Sequence, residues 1–179
     1  MFSVLLSVSK RAQQVAMENY LDQTQRTLEV SVASLERQIE NFRSICFQMN
    51  HMEHYQNMRL LEQNDICNRH HYSLIKLQTF FQQQCFLMEI PNKSFVLFKR
   101  NGTLVTDSHY YIKAVNCFER DLIFDGMNSA QTLSQLSNFS SKGGLLPAQL
   151  VSVNNKKPSF HLLYLFQPPS ESTLYGMLV

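Results

Sequence analysis

Glycine is scarce in this chain and tryptophan is absent: the 179 residues include five glycines and no tryptophan. The sequence accordingly contains neither a P-loop nor a dinucleotide-binding fingerprint, both of which need closely spaced glycines beside a phosphate. It also lacks a Gly-x-Ser-x-Gly element, and Asp107, Ser108 and His109 are adjacent in sequence, which does not build a catalytic triad. We therefore predict that the protein is not an enzyme and carries no cofactor.

Charge is sparse as well, with 17% charged residues and a formal net charge of +2. The basic residues are scattered and are not interleaved with aromatic residues, so we predict no nucleic-acid binding. No apolar run reaches the length of about 18 residues that a membrane-spanning helix requires. The apolar start at Phe2 precedes Lys10 and Arg11, the reverse of a signal peptide, and the chain stops on an apolar run at Val179. We interpret the chain as a fragment that is truncated at both ends.

The cysteines and histidines indicate neither a disulfide framework nor a standard metal site. The four cysteines form no Cys-x-x-Cys pair; one disulfide would fit their number, but no pair is indicated, and Cys46 and Cys85 lie on helical apolar patterns typical of buried thiols. One segment is rich in both residue types and contains spacings that zinc sites use: His51, His54, Cys67, His70 and His71. The alternative is an exposed polar junction between helices. Because the spacings match no standard zinc finger, we predict no metal site.

What the sequence does contain is a long heptad pattern. Its two lines of positions are Leu21, Leu28, Leu35, Phe42 and Met49, and Gln25, Val32, Ile39 and Cys46. Neither proline nor glycine interrupts them, so the pattern predicts one long helix, or two in line, over about residues 9–52.

The two halves of this predicted helix differ. The narrow apolar seam in the first half indicates a stalk or a homodimer formed through Leu21, Leu28 and Leu35. From Phe42 onward the stripe widens to include Ile45, Phe47 and Met52, which predicts a broad face buried against the domain body.

The remaining pattern predicts helices first and strands later. Short helices are expected over 55–63 and 128–136, and a longer one over 68–86 with Leu74, Leu77, Phe81 and Cys85 on one face. Asn101-Gly102 between the apolar runs 95–98 and 104–106 predicts a β-hairpin, because both residues accept a positive φ. Residues 108–124 are ambiguous, and strands are expected over 149–153, 159–166 and 173–179. Segregated helices and strands indicate an α+β fold with a long N-terminal helix packed on an antiparallel β-sheet.

This order resembles the extracytoplasmic Cache (PAS-like) sensor domains of bacterial membrane-anchored AraC-type transcription regulators and sensor histidine kinases. The resemblance lies in the long entry helix after an apolar N-terminus, in the stretch FFQQQCFLMEIPNKSFVLFKRNGTLVTDS and in the closing stretch LLPAQLVSVNNKKPSFHLLYLFQPPSESTLYGMLV. It covers nearly the whole chain and concerns the order of the predicted elements and their residue patterns. The amino-acid-binding subtype of that family uses a tryptophan that this chain lacks, so we transfer none of the family's ligand residues.

The resemblance implies two parts: residues 1–40 as the membrane-proximal or stalk part of the long helix, and residues 41–179 as a Cache-like sensor domain. It implies an extracytoplasmic ligand-sensing domain at the cell membrane, reached through flanking segments, that passes a signal along its long helix in transcription regulation or a two-component system. The alternative is a structural module for dimerisation or protein interaction without a small-molecule ligand.

Candidate ligand contacts lie where the second hairpin strand ends. There Asp107 and His109 could fix a small molecule or peptide against an aromatic wall formed by Tyr110, Tyr111 or Tyr164. The alternative is an ordinary polar turn with surface aromatic residues. Asn-x-Ser/Thr sequons at Asn92, Asn101 and Asn138 add slightly to the extracytoplasmic interpretation.

Overall fold

The computed structural model describes residues 2–63, 70–90, 93–140, 143–169 and 171–179. The chain divides into two compact units, residues 1–37 and residues 38–179. Within the described residues, no helix has an apolar stretch long enough to cross a membrane.

Helix α1 begins at Phe2 and ends at Asn50, so the heptad pattern corresponds to one continuous helix. In the first unit its apolar seam is open to solvent, with Leu21 57%, Leu28 61% and Val32 53% exposed. In the second unit the apolar residues Phe42 and Met49 are fully buried.

The widened stripe is nevertheless narrower than the sequence suggests. Phe47 is 67% exposed and contacts the ring of His51 one turn further on. The reason is angular: at about 100° per residue, Phe47 lies on the opposite side of the helix from Ile45. The prediction that Phe47 is buried is therefore wrong.

Two further helices follow, α2 (Glu53–Leu60) and α3 (His71–Leu87). Both match the predicted helices to within a few residues. The stripe predicted for α3 is the buried one, comprising Leu74, Leu77, Phe81 and Cys85.

The second half of the chain forms one antiparallel sheet with two short helices. Its elements are β1 (Ser94–Phe98), β2 (Thr103–Thr106), β3 (Tyr110–Tyr111), α4 (Val115–Arg120), β4 (Leu122–Phe124), α5 (Ser129–Ser137), β5 (Gly144–Val153), β6 (Ser159–Phe166) and β7 (Thr173–Leu178). The strand order is β3-β2-β1-β7-β6-β5-β4, and every pairing is antiparallel. The fold is therefore α+β with a long N-terminal helix, as predicted.

Strand alternation gives this sheet two buried faces. On the first face, Val96, Phe98 and Tyr175 pack with the buried residues of α2, α3 and the second-unit part of α1. On the second face, Phe95 and Leu163 belong to a core that includes residues of α4 and α5. Helix α5 begins with a capping box in which Asn128 and Gln131 satisfy each other's backbone amides.

Candidate ligand site

A cavity of about 450 Å³ is bordered by the start of β1, the loop after β2 and the hairpin that joins β5 to β6. The residues that line it are mostly polar or charged: Lys93, Asp107, Val153, Asn154, Lys156, Lys157, Ser159 and His161. Lys93 precedes Phe95 by two residues and His161 precedes Leu163 by two. Because strand side chains alternate, both project toward the second face of the sheet.

The β5–β6 hairpin has a tight turn that the local sequence explains. Asn154 and Asn155 have φ values of 52° and 57°, and the Lys156 amide donates to the Val153 carbonyl at 3.0 Å. Asparagine tolerates this left-handed conformation better than most residues do. The Ser152 hydroxyl donates to the Lys156 carbonyl at 2.5 Å, and the Asn154 amide donates to the Asp121 carbonyl at 2.9 Å. These hydrogen bonds thus fix the backbone of the turn that carries Lys156 and Lys157.

Opposite this hairpin, Lys93 and Asp107 form a partly buried ion pair. Lys93 Nζ lies 3.0 Å from Asp107 Oδ1, with the two side chains 10% and 25% exposed, and it also contacts the Ser108 hydroxyl. The Asp107 amide donates to the Ser94 carbonyl at 3.2 Å, which ties the loop to β1. Of the ligand residues predicted from the sequence, Asp107 is therefore the one that borders the cavity. Lys93 balances its charge.

The other predicted ligand residues lie elsewhere. His109 is exposed, with Nδ1 3.2 Å from the Ser108 hydroxyl oxygen. Tyr110 reaches His71 of α3, with its hydroxyl oxygen 3.0 Å from Nδ1. Tyr111 packs against the second-face core.

Tyr164 is separated from these residues by the sheet itself. It lies on β6, and three strands stand between β6 and β3, a separation of about 19 Å at the usual spacing of about 4.8 Å per strand. Its hydroxyl accepts a hydrogen bond of 2.7 Å from Arg43 Nε. Burial raises the pKa of Tyr164, while Arg43 acts against that shift. The structure therefore places Tyr164 apart from Tyr110 and Tyr111, and none of the three is among the described residues that line the cavity beside Asp107.

Sequence reasoning identified Asp107 and missed the other seven residues that line the cavity, of which four are basic: Lys93, Lys156, Lys157 and His161. The two asparagines followed by two lysines were a local signal that predicts the hairpin turn. No local signal predicts that this hairpin lies near Lys93, because β1 and β6 are brought near each other only through β7, the last strand in the sequence.

The cavity also contains a serine–histidine pair, with Ser159 Oγ 2.8 Å from His161 Nε2. A catalytic arrangement needs a third group that orients the histidine. Among the described residues, no carboxylate bonds to His161, and Asp107 is engaged by Lys93. Nearby Cys117 is fully buried, and burial raises the pKa of its thiol to about 12, which keeps it protonated and unreactive at neutral pH.

In the described part of the histidine-rich segment, His51 and His54 contact other groups of the chain. His54 contacts the Ser73 hydroxyl at 3.2 Å, and His51 contacts the Phe47 carbonyl at 2.9 Å. Within the described ranges, no three His, Cys, Asp or Glu residues are grouped to hold a metal ion. Cys67 lies outside those ranges, and the three described cysteines, Cys46, Cys85 and Cys117, are free thiols.

Comparison with known proteins identifies no relative: no protein-family model, no curated protein and no solved structure matches this chain. The assignment of function therefore depends on the cavity and on the order of the elements.

Proposed function

We propose that this chain is an extracytoplasmic ligand-sensing domain of a bacterial transmembrane signalling protein or transcription regulator. The observation that carries the proposal is the cavity of about 450 Å³, whose size lies within the range of about 300–1,000 Å³ usual for small-molecule sites. It is bordered by loops and strand ends, where binding residues concentrate. The proposed localisation comes from the resemblance to Cache sensor domains, which lies in the order of the elements and in their residue patterns.

The sheet topology supports this proposal. The first hairpin and the closing strands, on which the resemblance rests, are neighbours because β1 pairs with β7. The same central strands reach both faces: Lys93 and His161 border the cavity, while Val96 and Tyr164 pack in the core that contains Phe42 of α1. A ligand that shifts β1 or β6 would therefore alter the packing of the second-unit part of α1.

Such a sensor acts only through different ligand affinities for two arrangements of the helix. A broad thermal-shift screen of metabolites and short peptides tests this directly. We expect at least one compound to raise the melting temperature, and we expect crosslinking yields between cysteines introduced at Leu21, Leu28 or Leu35 to change when it is added. If no compound stabilises the domain, the sensing proposal is wrong.

A second function is favoured by the open seam of the first unit. Leu21, Leu28 and Val32 are each more than half exposed, which is unusual for an apolar heptad line without a partner. We propose that this seam forms a homodimer and that the chain, in this alternative, is a structural interaction module without a small-molecule ligand. Analytical ultracentrifugation of the intact chain and of an L21S/L28S variant separates the cases: a dimer that the variant abolishes supports it, and a monomeric intact chain excludes it.

A further inference from the structure

We infer that the cavity selects a small, hydrophilic molecule carrying two negative charges, such as a short dicarboxylate. This inference rests on the proposed ligand-sensing function and specifies the chemistry of its ligand.

The first argument is the charge of the lining. Lys93, Lys156 and Lys157 border the cavity, and Asp107 is the one carboxylate among the described lining residues. Asp107 is already paired with Lys93 at 3.0 Å. Counting the three lysines and Asp107 alone, the lining therefore carries an excess of two positive charges, both at the β5–β6 hairpin.

The second argument is that these two charges are unsatisfied and yet well positioned. In the part of the chain that the structure describes, neither Lys156 nor Lys157 has a carboxylate within ion-pair distance. Their backbone is nevertheless fixed by the Asn154–Asn155 turn and by the hydrogen bonds from Ser152 and Asn154. A fixed backbone lowers the entropic cost of holding an anion, since the loop does not have to be ordered on binding.

The third argument concerns the rest of the lining. Val153 is the one apolar side chain among the described lining residues. Asn154, Ser159 and His161 can donate or accept hydrogen bonds with the uncharged part of a ligand. A hydrophobic ligand would bury these polar groups without partners, which costs free energy, so a compact polar ligand fits better.

The experiment compares three probes of nearly equal size: succinate, its monoamide succinamate and the neutral diamide succinamide. Binding to the intact chain is measured by titration calorimetry at constant ionic strength, because exposed lysines are screened by salt. We expect affinity to fall in that order, by about tenfold or more for each negative charge removed.

Two double variants locate the site. K156Q/K157Q should weaken succinate binding by about a hundredfold or more, because two charge-assisted contacts are lost. K76Q/K113Q removes the same charge from exposed positions on α3 and before α4, and it should bind succinate like the unchanged chain. Circular dichroism spectra and melting curves of both variants, recorded at near-neutral pH, check that each is folded.

The outcomes separate the two proposals. If a neutral or cationic compound stabilises the domain and neither succinate nor succinamate binds, ligand sensing stands and the dianionic ligand class is wrong. The class is also wrong if succinamide binds as tightly as succinate, or if K156Q/K157Q retains full affinity. If no compound of any charge binds, both proposals fail.

Discussion

The ring of Phe95 on β1 lies directly over the α-carbon of Gly176, its partner across the strand pair β1–β7. A Cβ built on Gly176 would stand 2.7 Å from Phe95 Cε2 and closer still to Cζ and Cε1. Phe95 is fully buried and meets the ring of Phe118 from α4 edge-on, with 6.3 Å between the ring centres. The missing side chain at Gly176 thus makes room for the aromatic core of the second face.

Substituting Gly176 by alanine should destabilise the protein. The added methyl group overlaps a fully buried ring, and overpacking of this kind costs about 1–3 kcal/mol. Urea denaturation should therefore show a lower free energy of unfolding for G176A than for the unchanged chain.

The matched control is Gly144 on β5, where an added Cβ meets nothing within 4 Å. G144A should change the free energy of unfolding by no more than about 0.5 kcal/mol. The F95A background provides a second check: without the ring, G176A should become nearly neutral. Equal costs of G176A in both backgrounds would contradict the proposed overlap.

A second prediction concerns Asn101, which is fully buried despite its position in a hairpin turn. Its side-chain amide donates to the Met58 carbonyl at 2.8 Å, and its oxygen accepts from the Thr103 amide at 3.0 Å. N101A removes both contacts: the Thr103 amide loses its side-chain acceptor, and the Met58 carbonyl keeps the 3.4 Å hydrogen bond from the Leu61 amide. We therefore expect a loss of about 1–3 kcal/mol in the free energy of unfolding. Chemical denaturation measures it.

Asn138 gives the control, since it is exposed at the end of α5. N138A should be neutral to within about 0.5 kcal/mol. The two sequons should also differ in a glycosylating host: Asn138 Nδ2 is accessible in the folded chain, whereas Asn101 Nδ2 is not. A stable folded chain glycosylated at Asn101 would contradict this packing.

Features that depend on neighbouring residues were predictable from the sequence. The uninterrupted heptads indicated α1, and the three- and four-residue steps from Leu74 to Cys85 indicated the buried face of α3. The hairpin was also predicted, although only half of the reason was correct. Gly102 has a φ of 69°, but Asn101 has no positive φ and serves instead as a buried link to α2.

Features that depend on chain topology were not predictable in this way. Strand β5 begins at Gly144, earlier than residue 149, because it continues past Pro147 through an irregularity between Leu146 and Gln149. The cavity requires Lys93 and the Lys156–Lys157 turn to meet, although they are far apart in sequence. No local pattern encodes that approach, so the residues predicted from the sequence include Asp107 but none of the three lysines.

A third prediction concerns alkaline pH. Burial raises the pKa of the Cys85 and Cys117 thiols to about 12, above the usual thiol value. Between the unfolded and folded pKa values the folded state binds more protons, so stability is complete at neutral pH and falls as pH rises through that window. Each thiol contributes a slope of up to about 1.4 kcal/mol per pH unit.

The measurement is the free energy of unfolding from pH 8 upward in a C67S background, which removes the cysteine outside the described residues. C85A/C117A should show a shallower decline than C67S alone, although buried Tyr55 and Tyr175, whose pKa values burial also raises, keep some decline in both. Ellman's reagent should not react with native C67S protein at neutral pH. Rapid labelling of the native state would show that the thiols are accessible.

The last prediction concerns Glu171, whose carboxylate joins α2 to the loop before β7. The Tyr55 hydroxyl donates to Oε2 at 2.7 Å, and Arg59 lies 3.4 Å from Oε1, with the Glu171 side chain only 14% exposed. E171A should cost about 1.5–3 kcal/mol of unfolding free energy, because Tyr55 loses a charged acceptor and Arg59 its counter-charge. Breaking the exposed Arg100–Glu62 pair with R100A should cost at most about 1 kcal/mol. Both costs are measured by urea denaturation. If E171A lowered the free energy of unfolding no more than R100A does, the contacts of the Glu171 carboxylate would not be what stabilises the packing of α2.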